Sequence, residues 1–457
     1  METKHVLQAG FARVDITPPL GSSLAGHNQY REAEFVLDPL QINALAVSDG
    51  ERTAILFSVD LLYIRKDFST KIRRKIAEVT GLPFEALFIA GTHTHYAPSL
   101  WPDTLEGQAK EKSIRYLDFL EDRFCDAAIL ALNDRKPAKM GYAISSVSGV
   151  SFIRRFRMKD GSVRTNPARF DPNLVGPVGE LDEQVNVLRF VREGGKEIAV
   201  ANFGVHACCL KLSKGISADF PGAVRRTVEA VLPAHCIFFS GAEGDVNHYN
   251  PFKAAMNEDP FVQANDLADA GYNFSDQINA NHIGRAIAGA LFQVYGDVKW
   301  TDDATVRFGL VNCPVTYNKA KPEEIPWAEE FYARMAAGED VKNTYPPHSL
   351  ARAYRILHLK DFPETGELPV SAVRIGPAGF VGLPGEPFTQ IGVRLKARSG
   401  YEITLPCCCT NGAEGYYPML EDCSSTSYEA VKTNYKPGTA EALVDTGVAL
   451  LQKLNEN

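Results

Sequence analysis

No stretch of this 457-residue chain approaches the ~18 uninterrupted apolar residues that a membrane-spanning helix needs. Its first residues, Met1-Glu2-Thr3-Lys4-His5, lack an apolar signal core, so the expected location is the cytoplasm, without membrane insertion. Runs of one charge are also missing. With 48 basic residues dispersed among 56 acidic ones, net charge −8, there is no basic face for a phosphate backbone, and nucleic acid is not an expected partner. The nine cysteines are odd in number, partly adjacent (Cys208-Cys209, Cys407-Cys408-Cys409) and never spaced C-x-x-C. That excludes a tidy disulfide framework and a zinc ribbon, leaving reduced thiols packed as small hydrophobes. The His-Glu-x-x-His of helical zinc peptidases and the Gly-x-Ser-x-Gly of serine hydrolases are absent. Gly241-Ala242-Glu243-Gly244-Asp245 lacks the Lys-Ser/Thr end of a phosphate loop.

What is present is an ordinary globular composition, 45% hydrophobic and 23% charged, in which Val/Ile/Phe-rich runs alternate with amphipathic stretches. This alternation predicts an α/β protein of mixed β-sheets flanked by helices. Thr53 to Val59 reads as a strand. Phe68, Ile72, Ile76 and Val79 then recur at helical spacing up to a Gly81 stop. Ile114 to Ala128 reads as a second helix, and Val185 to Val191 with Glu197 to Phe203 as a hairpin around a Gly-Gly turn. Further helices are expected over Pro221 to Val231, Ile278 to Val294 and Glu386 to Ala397. One domain over residues 1–457 is expected, with a loop excursion near 251–274 and another near 318–348, where four prolines argue against continuous helix or strand.

Polar clusters follow directly on the apolar runs. Ala86 to Ala90 leads into Gly91-Thr92-His93-Thr94-His95, Ile198 to Val205 into His206, and Cys236 to Phe239 into a segment ending Asp245-Val246-Asn247-His248. Gly379 to Leu383 leads into Pro384-Gly385-Glu386, and Ile403 to Thr410 into a segment ending Tyr416-Tyr417. Loops at the carboxyl ends of strands can converge on one crevice. Imidazoles and a carboxylate from His93, His206 and Glu386 suit a catalytic zinc, which takes three or four protein ligands and keeps a position for water. Glu243, Glu414, Tyr417 and Asp219 read as structural, Asp219 as a helix cap, whereas Asp245 could orient a ligand histidine.

Together these motifs resemble the catalytic domain of the neutral/alkaline, non-lysosomal ceramidase family and its shorter bacterial relatives. The resemblance starts at Gly10-Phe11-Ala12-Arg13-Val14-Asp15-Ile16-Thr17-Pro18-Pro19 and continues in Gly91-Thr92-His93-Thr94-His95, Phe203-Gly204-Val205-His206 and Pro384-Gly385-Glu386-Pro387-Phe388-Thr389. Tyr416 and Tyr428-Glu429 follow at the family's spacing. It implies zinc held by His93, His206, Glu386 and Tyr416, with His95 and Tyr428 facing the substrate. It also implies an arginine nearby, either Arg154 or Arg155, although Ile153 replaces the family's asparagine before it.

Asn247 stands where ceramidases carry a serine, so a serine nucleophile is unavailable there and attack by zinc-activated water is expected, with Asn247 orienting the water or donating to the oxyanion. The family's C-terminal immunoglobulin-like domain is not expected in this chain. The implied activity is hydrolysis of an amide (N-acyl) bond in a small soluble substrate rather than long-chain ceramide. Ester or lactone hydrolysis at the same site, and a non-catalytic metal-containing binding protein, are the alternatives. Oligomeric state is not legible.

Overall fold

The protein is described from a computed structural model over residues 6–27, 29–253 and 274–456. The first apolar run forms the strand Thr53–Val59, and the periodic residues behind it form the helix Lys66–Thr80, which buries Phe68, Ile72 and Ile76 on one face. Gly81 ends that helix at φ 72°, a conformation in which a Cβ would be strained. Leu87–Gly91 then returns parallel to Thr53–Val59. A second unit repeats the plan, with Glu197–Phe203, the helix Asp219–Val231 and a parallel Ala234–Ser240. The expected hairpin is present as Gln184–Arg192 against Glu197–Phe203.

Among the described residues these strands belong to a nine-stranded mixed sheet. Its order runs Ala234–Ser240, Glu197–Phe203, Gln184–Arg192, Lys136–Ser146, Gln8–Asp15, Gln41–Ser48, Thr53–Val59, Leu87–Gly91, with Lys299–Thr301 also pairing Lys136–Ser146. Gln8–Asp15 meets Lys136–Ser146 through only two residue pairs, Gln8↔Pro137 and Ala9↔Lys136. The two halves turn toward each other about this narrow join, and their far edges meet. Ser58 Oγ donates to the Phe238 carbonyl at 2.5 Å and Ser240 Oγ to the Thr92 carbonyl at 2.9 Å.

A four-stranded sheet of Val306–Thr316, Thr365–Ile375, Ala378–Gly382 and Ile403–Cys407 packs against the inner face of the large one. The ring of Phe380 lies 6.2 Å from that of Phe88 and 5.5 Å from that of Phe239, so one ring of the small sheet joins both edges of the large one. Each buried side chain of this size contributes about 1.5–3 kcal/mol, far more than an exposed ion pair, so this apolar core fixes the strand ends. Helices Lys66–Thr80 and Gly107–Asn133 cover one half of the large sheet, Asp219–Val231 and Phe274–Tyr295 the other. Thr389–Arg398 and Thr439–Glu456 cover the small sheet. The molecule is a mixed α/β protein with helices flanking its sheets.

The structure departs from the sequence reading in two places. The proline-rich segment is helical over Ile325–Ala336 and Val341–Thr344, because Pro322 and Pro326 stand in first turns, where a missing N–H leaves no intrahelical bond unmade. Glu386 is not helical. The helix begins only at Thr389, and Glu386–Pro387 forms a two-residue parallel strand with Tyr416–Tyr417. Most of the excursion expected near 251–274, residues 254–273, lies outside the described residues. All nine cysteines are free, and no described helix is long and apolar enough to cross a membrane.

Candidate metal centre

The meeting of the sheet edges brings the strand-end polar groups together. His93 lies two residues beyond Leu87–Gly91 and His206 three beyond Glu197–Phe203; their ring centroids are 4.8 Å apart, with His95 at 5.1 and 5.8 Å from them. One nitrogen from each of the three rings lies within 4.8 Å of the others. His93 takes φ 63°, a left-handed conformation that costs a side chain of this size about 1–3 kcal/mol and persists only where its surroundings enforce it.

Carbonyls set the tautomers of two rings. His93 Nδ1 faces the Leu62 carbonyl at 2.9 Å, and His206 Nδ1 faces those of Glu243 and Val246 at 2.9 and 3.1 Å. Both therefore carry a proton on Nδ1 and turn Nε2 inward. Between the two Nε2 atoms sits Glu386 Oε2, 3.1 Å from His206 and 3.5 Å from His93. The short parallel strand pairs Glu386 directly with Tyr416, and the nearby carboxylate, with burial, keeps the Tyr416 phenol protonated.

Comparison with solved structures assigns this architecture. Neutral ceramidase from Pseudomonas aeruginosa superposes with a TM-score of 0.73 at 18% identity, over 99% of this chain and 75% of that one. The chain has the neutral ceramidase fold. A ceramidase structure described as complexed with C2 gives a TM-score of 0.69 at 16% identity, with the same coverage of both chains. No protein-family model matches the sequence, and no curated protein matches it.

Within this ceramidase fold the charges around the histidines are uneven. Burial alone would raise the Glu386 carboxyl, but His93 and His206 outweigh it and hold its pKa well below the usual carboxylate range. Burial pushes His206 down to about 3, helped by Arg154, and drives His95 well below the usual histidine value, helped by His93 and His206. Both are neutral at pH 7. Burial would also lower His93, yet Glu243, Cys409 and Glu386 outweigh it, so the acidic groups hold a proton on this ring. Neutral rings at His206 and His95, an ionised Glu386, and a His93 ring whose extra proton a cation would displace make up a donor set that a divalent metal can use. His95 adds two ring nitrogens that are out of solvent and have no partner in the structure. The one competing bond is Arg154 Nη1 to His206 Nε2 at 3.2 Å, which a metal on that nitrogen would displace.

Arg154, rather than Arg155, lies at the cluster. Its Nη2 donates to the Gly244 carbonyl at 2.7 Å, its Nε pairs with Glu429 at 2.6 Å, and its guanidinium lies 5.4 Å from the Tyr416 ring centre. Arg155 points away, to Asp422 at 2.6 Å. The ring of Tyr428 stands 5.7 Å from that of Tyr416. Asn247 is nearby but turned aside, accepting from the His248 amide at 2.7 Å and the Cys208 thiol at 3.6 Å and donating to Asn166 at 3.4 Å.

Three residues behave differently from the sequence reading. Asp245 does not orient a histidine; its carboxylate accepts from the Thr389 amide and hydroxyl at 2.7 and 2.8 Å and so anchors the start of a helix. Asp219 is not a cap but the first helical residue, at φ 54°, and its carboxyl accepts from the Cys209 and Phe220 amides. Glu243, read as a loop residue, is fully buried 3.8 Å from His93 Nδ1 and accepts from the Cys408 thiol at 2.9 Å. Burial raises its pKa to about 8. Cys409 completes this layer, with Sγ 3.5 Å from His93 Nδ1. The available signal for both was position, since each follows a strand that ends at the site.

Proposed function

We propose that this chain is a zinc-dependent hydrolase cleaving the amide bond of a small soluble N-acyl compound. One observation carries the reading: His93, His206 and Glu386 converge from three separate segments of a ceramidase fold, with the Nε2 atoms of both rings turned toward the carboxylate. Zinc would be held by these three and by the Tyr416 oxygen; when bound, it lowers the pKa of a coordinated water to about 7 and polarises a carbonyl.

The remaining chemistry belongs to side chains of the chain itself. His95, neutral and with free nitrogens, is suited to accept a proton and return it to the departing amine nitrogen. Burial raises the Tyr428 phenol well above its usual pKa, so it stays protonated and can donate to the negative charge developing on the carbonyl oxygen. Arg154, held by Glu429 and the Gly244 carbonyl, supplies a fixed positive charge beside it. Asn247 offers no nucleophile, so the reading includes no acyl-enzyme.

The test combines elemental analysis with a screen of N-acyl compounds and matched esters of the same acyl groups. About one zinc per chain is expected, with amide hydrolysis abolished by chelator and restored by zinc. His206→Ala should lose the metal, and several orders of magnitude in rate, without unfolding. Full zinc content in that variant, hydrolysis of esters alone, or an acyl adduct forming at the turnover rate would each overturn the reading.

A further inference from the structure

A short helix, Tyr428–Lys432, carries two residues one turn apart, and side chains four apart lie on the same helical face. Tyr428 packs its ring on Tyr416 at the candidate metal centre, so Lys432 stands on the face that looks toward it. Lys432 is only partly exposed, and its ammonium makes no ion pair and no hydrogen bond among the described residues. It lies over the ring of Tyr354, 3.3 Å from the centroid, and Tyr354 stacks on His358 at 5.4 Å. Both come from the helix Ser349–Leu359, and His348, which precedes it, sets its ring 5.7 Å from Tyr428. Tyr63, within electrostatic reach of Tyr354 and Glu386, accepts from the Trp101 indole at 2.5 Å, and Arg65 lies 4.1 Å from the Trp101 ring centre. A half-buried ammonium costs stability unless something offsets it, and one aromatic face replaces only part of its lost hydration.

We propose that Lys432 is a specificity residue that binds an anionic group, a carboxylate, on the amine side of the substrate, which makes N-acyl amino acids the substrate class. This rests on the amide hydrolase reading given above. Such a group would give the ammonium a direct ion pair, which no described residue supplies, and charge-assisted bonds of this kind are about twice as strong as neutral ones. The Glu386 carboxylate acts on Lys432 through space, which sets the ammonium within electrostatic reach of the candidate metal centre.

The test measures binding as well as rate, with the full chain loaded with zinc. Titration calorimetry would compare 4-oxopentanoate and 4-oxododecanoate, ketone isosteres of N-acylglycines that cannot be hydrolysed, with their neutral primary amides. Wild type should bind the carboxylates at least tenfold more tightly, K432M should bind both alike, and K432R should keep most of the preference. Equal binding by wild type, binding of none of the four, or a preference undiminished in K432M would overturn the proposal. If K432M does not fold, the wild-type comparison and K432R decide it. The carboxylate preference without any hydrolysis of N-acetylglycine would leave this inference standing and remove the hydrolase reading. Hydrolysis of N-acetylglycine and N-acetylglycinamide with equal kcat/KM would do the reverse.

Discussion

His95 is the residue whose surroundings say most about its work. His93 and His206 each spend a nitrogen on carbonyl oxygens, whereas both His95 nitrogens are out of solvent with no protein partner. An unsatisfied buried polar atom costs on the order of 1–3 kcal/mol, and that cost persists where a ligand or a transferred proton completes the bond. His95→Ala should therefore retain full zinc content and lose about 10²–10⁴-fold in kcat, read by elemental analysis beside steady-state kinetics. Metal lost in proportion to activity would make His95 a ligand instead of a relay. His93, His206 and His95 were legible because they follow apolar runs directly, where a strand end leaves a side chain at a crevice. Glu243 and Cys409 were not, since a buried carboxylic acid and a buried thiol behind a histidine leave no spacing signature; their role depends on which loop lies underneath.

At the scale of elements, the helix Asp219–Val231 is tied to the opposite half of the large sheet by a fully buried pair. Arg225 reaches both oxygens of Asp60, at 2.9 and 2.5 Å, and Asp60 in turn accepts from the Gln41 amide at 2.9 Å and the Thr92 hydroxyl at 3.3 Å. Removing one partner leaves a buried charge uncompensated, so Arg225→Met should cost about 3–5 kcal/mol in urea unfolding, while the double variant with Asp60→Leu should recover much of it. A single-variant loss below 1 kcal/mol would show that water compensates Asp60. Strands and helices of this layer were readable from periodicity alone, as Lys66–Thr80 and its Gly81 stop illustrate. The helix Ile325–Ala336 was hidden because proline forbids a helix interior but suits a first turn, and composition does not distinguish the two. The helix expected over Glu386 to Ala397 starts three residues late, because pairing with Tyr416, distant in sequence, holds Glu386 extended.

Over the whole molecule, binding and stability pull in opposite directions at Lys432. Burial lowers its pKa to about 8, against about 10.4 in an unfolded chain, so its charge opposes folding at neutral pH. For a cation with a depressed folded pKa the unfolded state holds more protons between these values, and stability rises as pH climbs through that window. K432M should be more stable than wild type at pH 7 by on the order of 1–3 kcal/mol, allowing for solvent that still reaches the group, and the advantage should shrink toward pH 10. A constant difference in urea midpoint from pH 6 to 10 would contradict this. The narrow join between Gln8–Asp15 and Lys136–Ser146 has a consequence of its own. Two leaves bound along so short a spine depend on what fastens their fore-edges, and beside the Ser58 and Ser240 bonds and the Phe380 ring stand His93 on one leaf and His206 on the other. An ion shared by the two would act as a clasp, so stripping it should speed amide hydrogen exchange along Leu87–Gly91 and Ala234–Ser240, the fore-edges, while leaving the spine as slow as before.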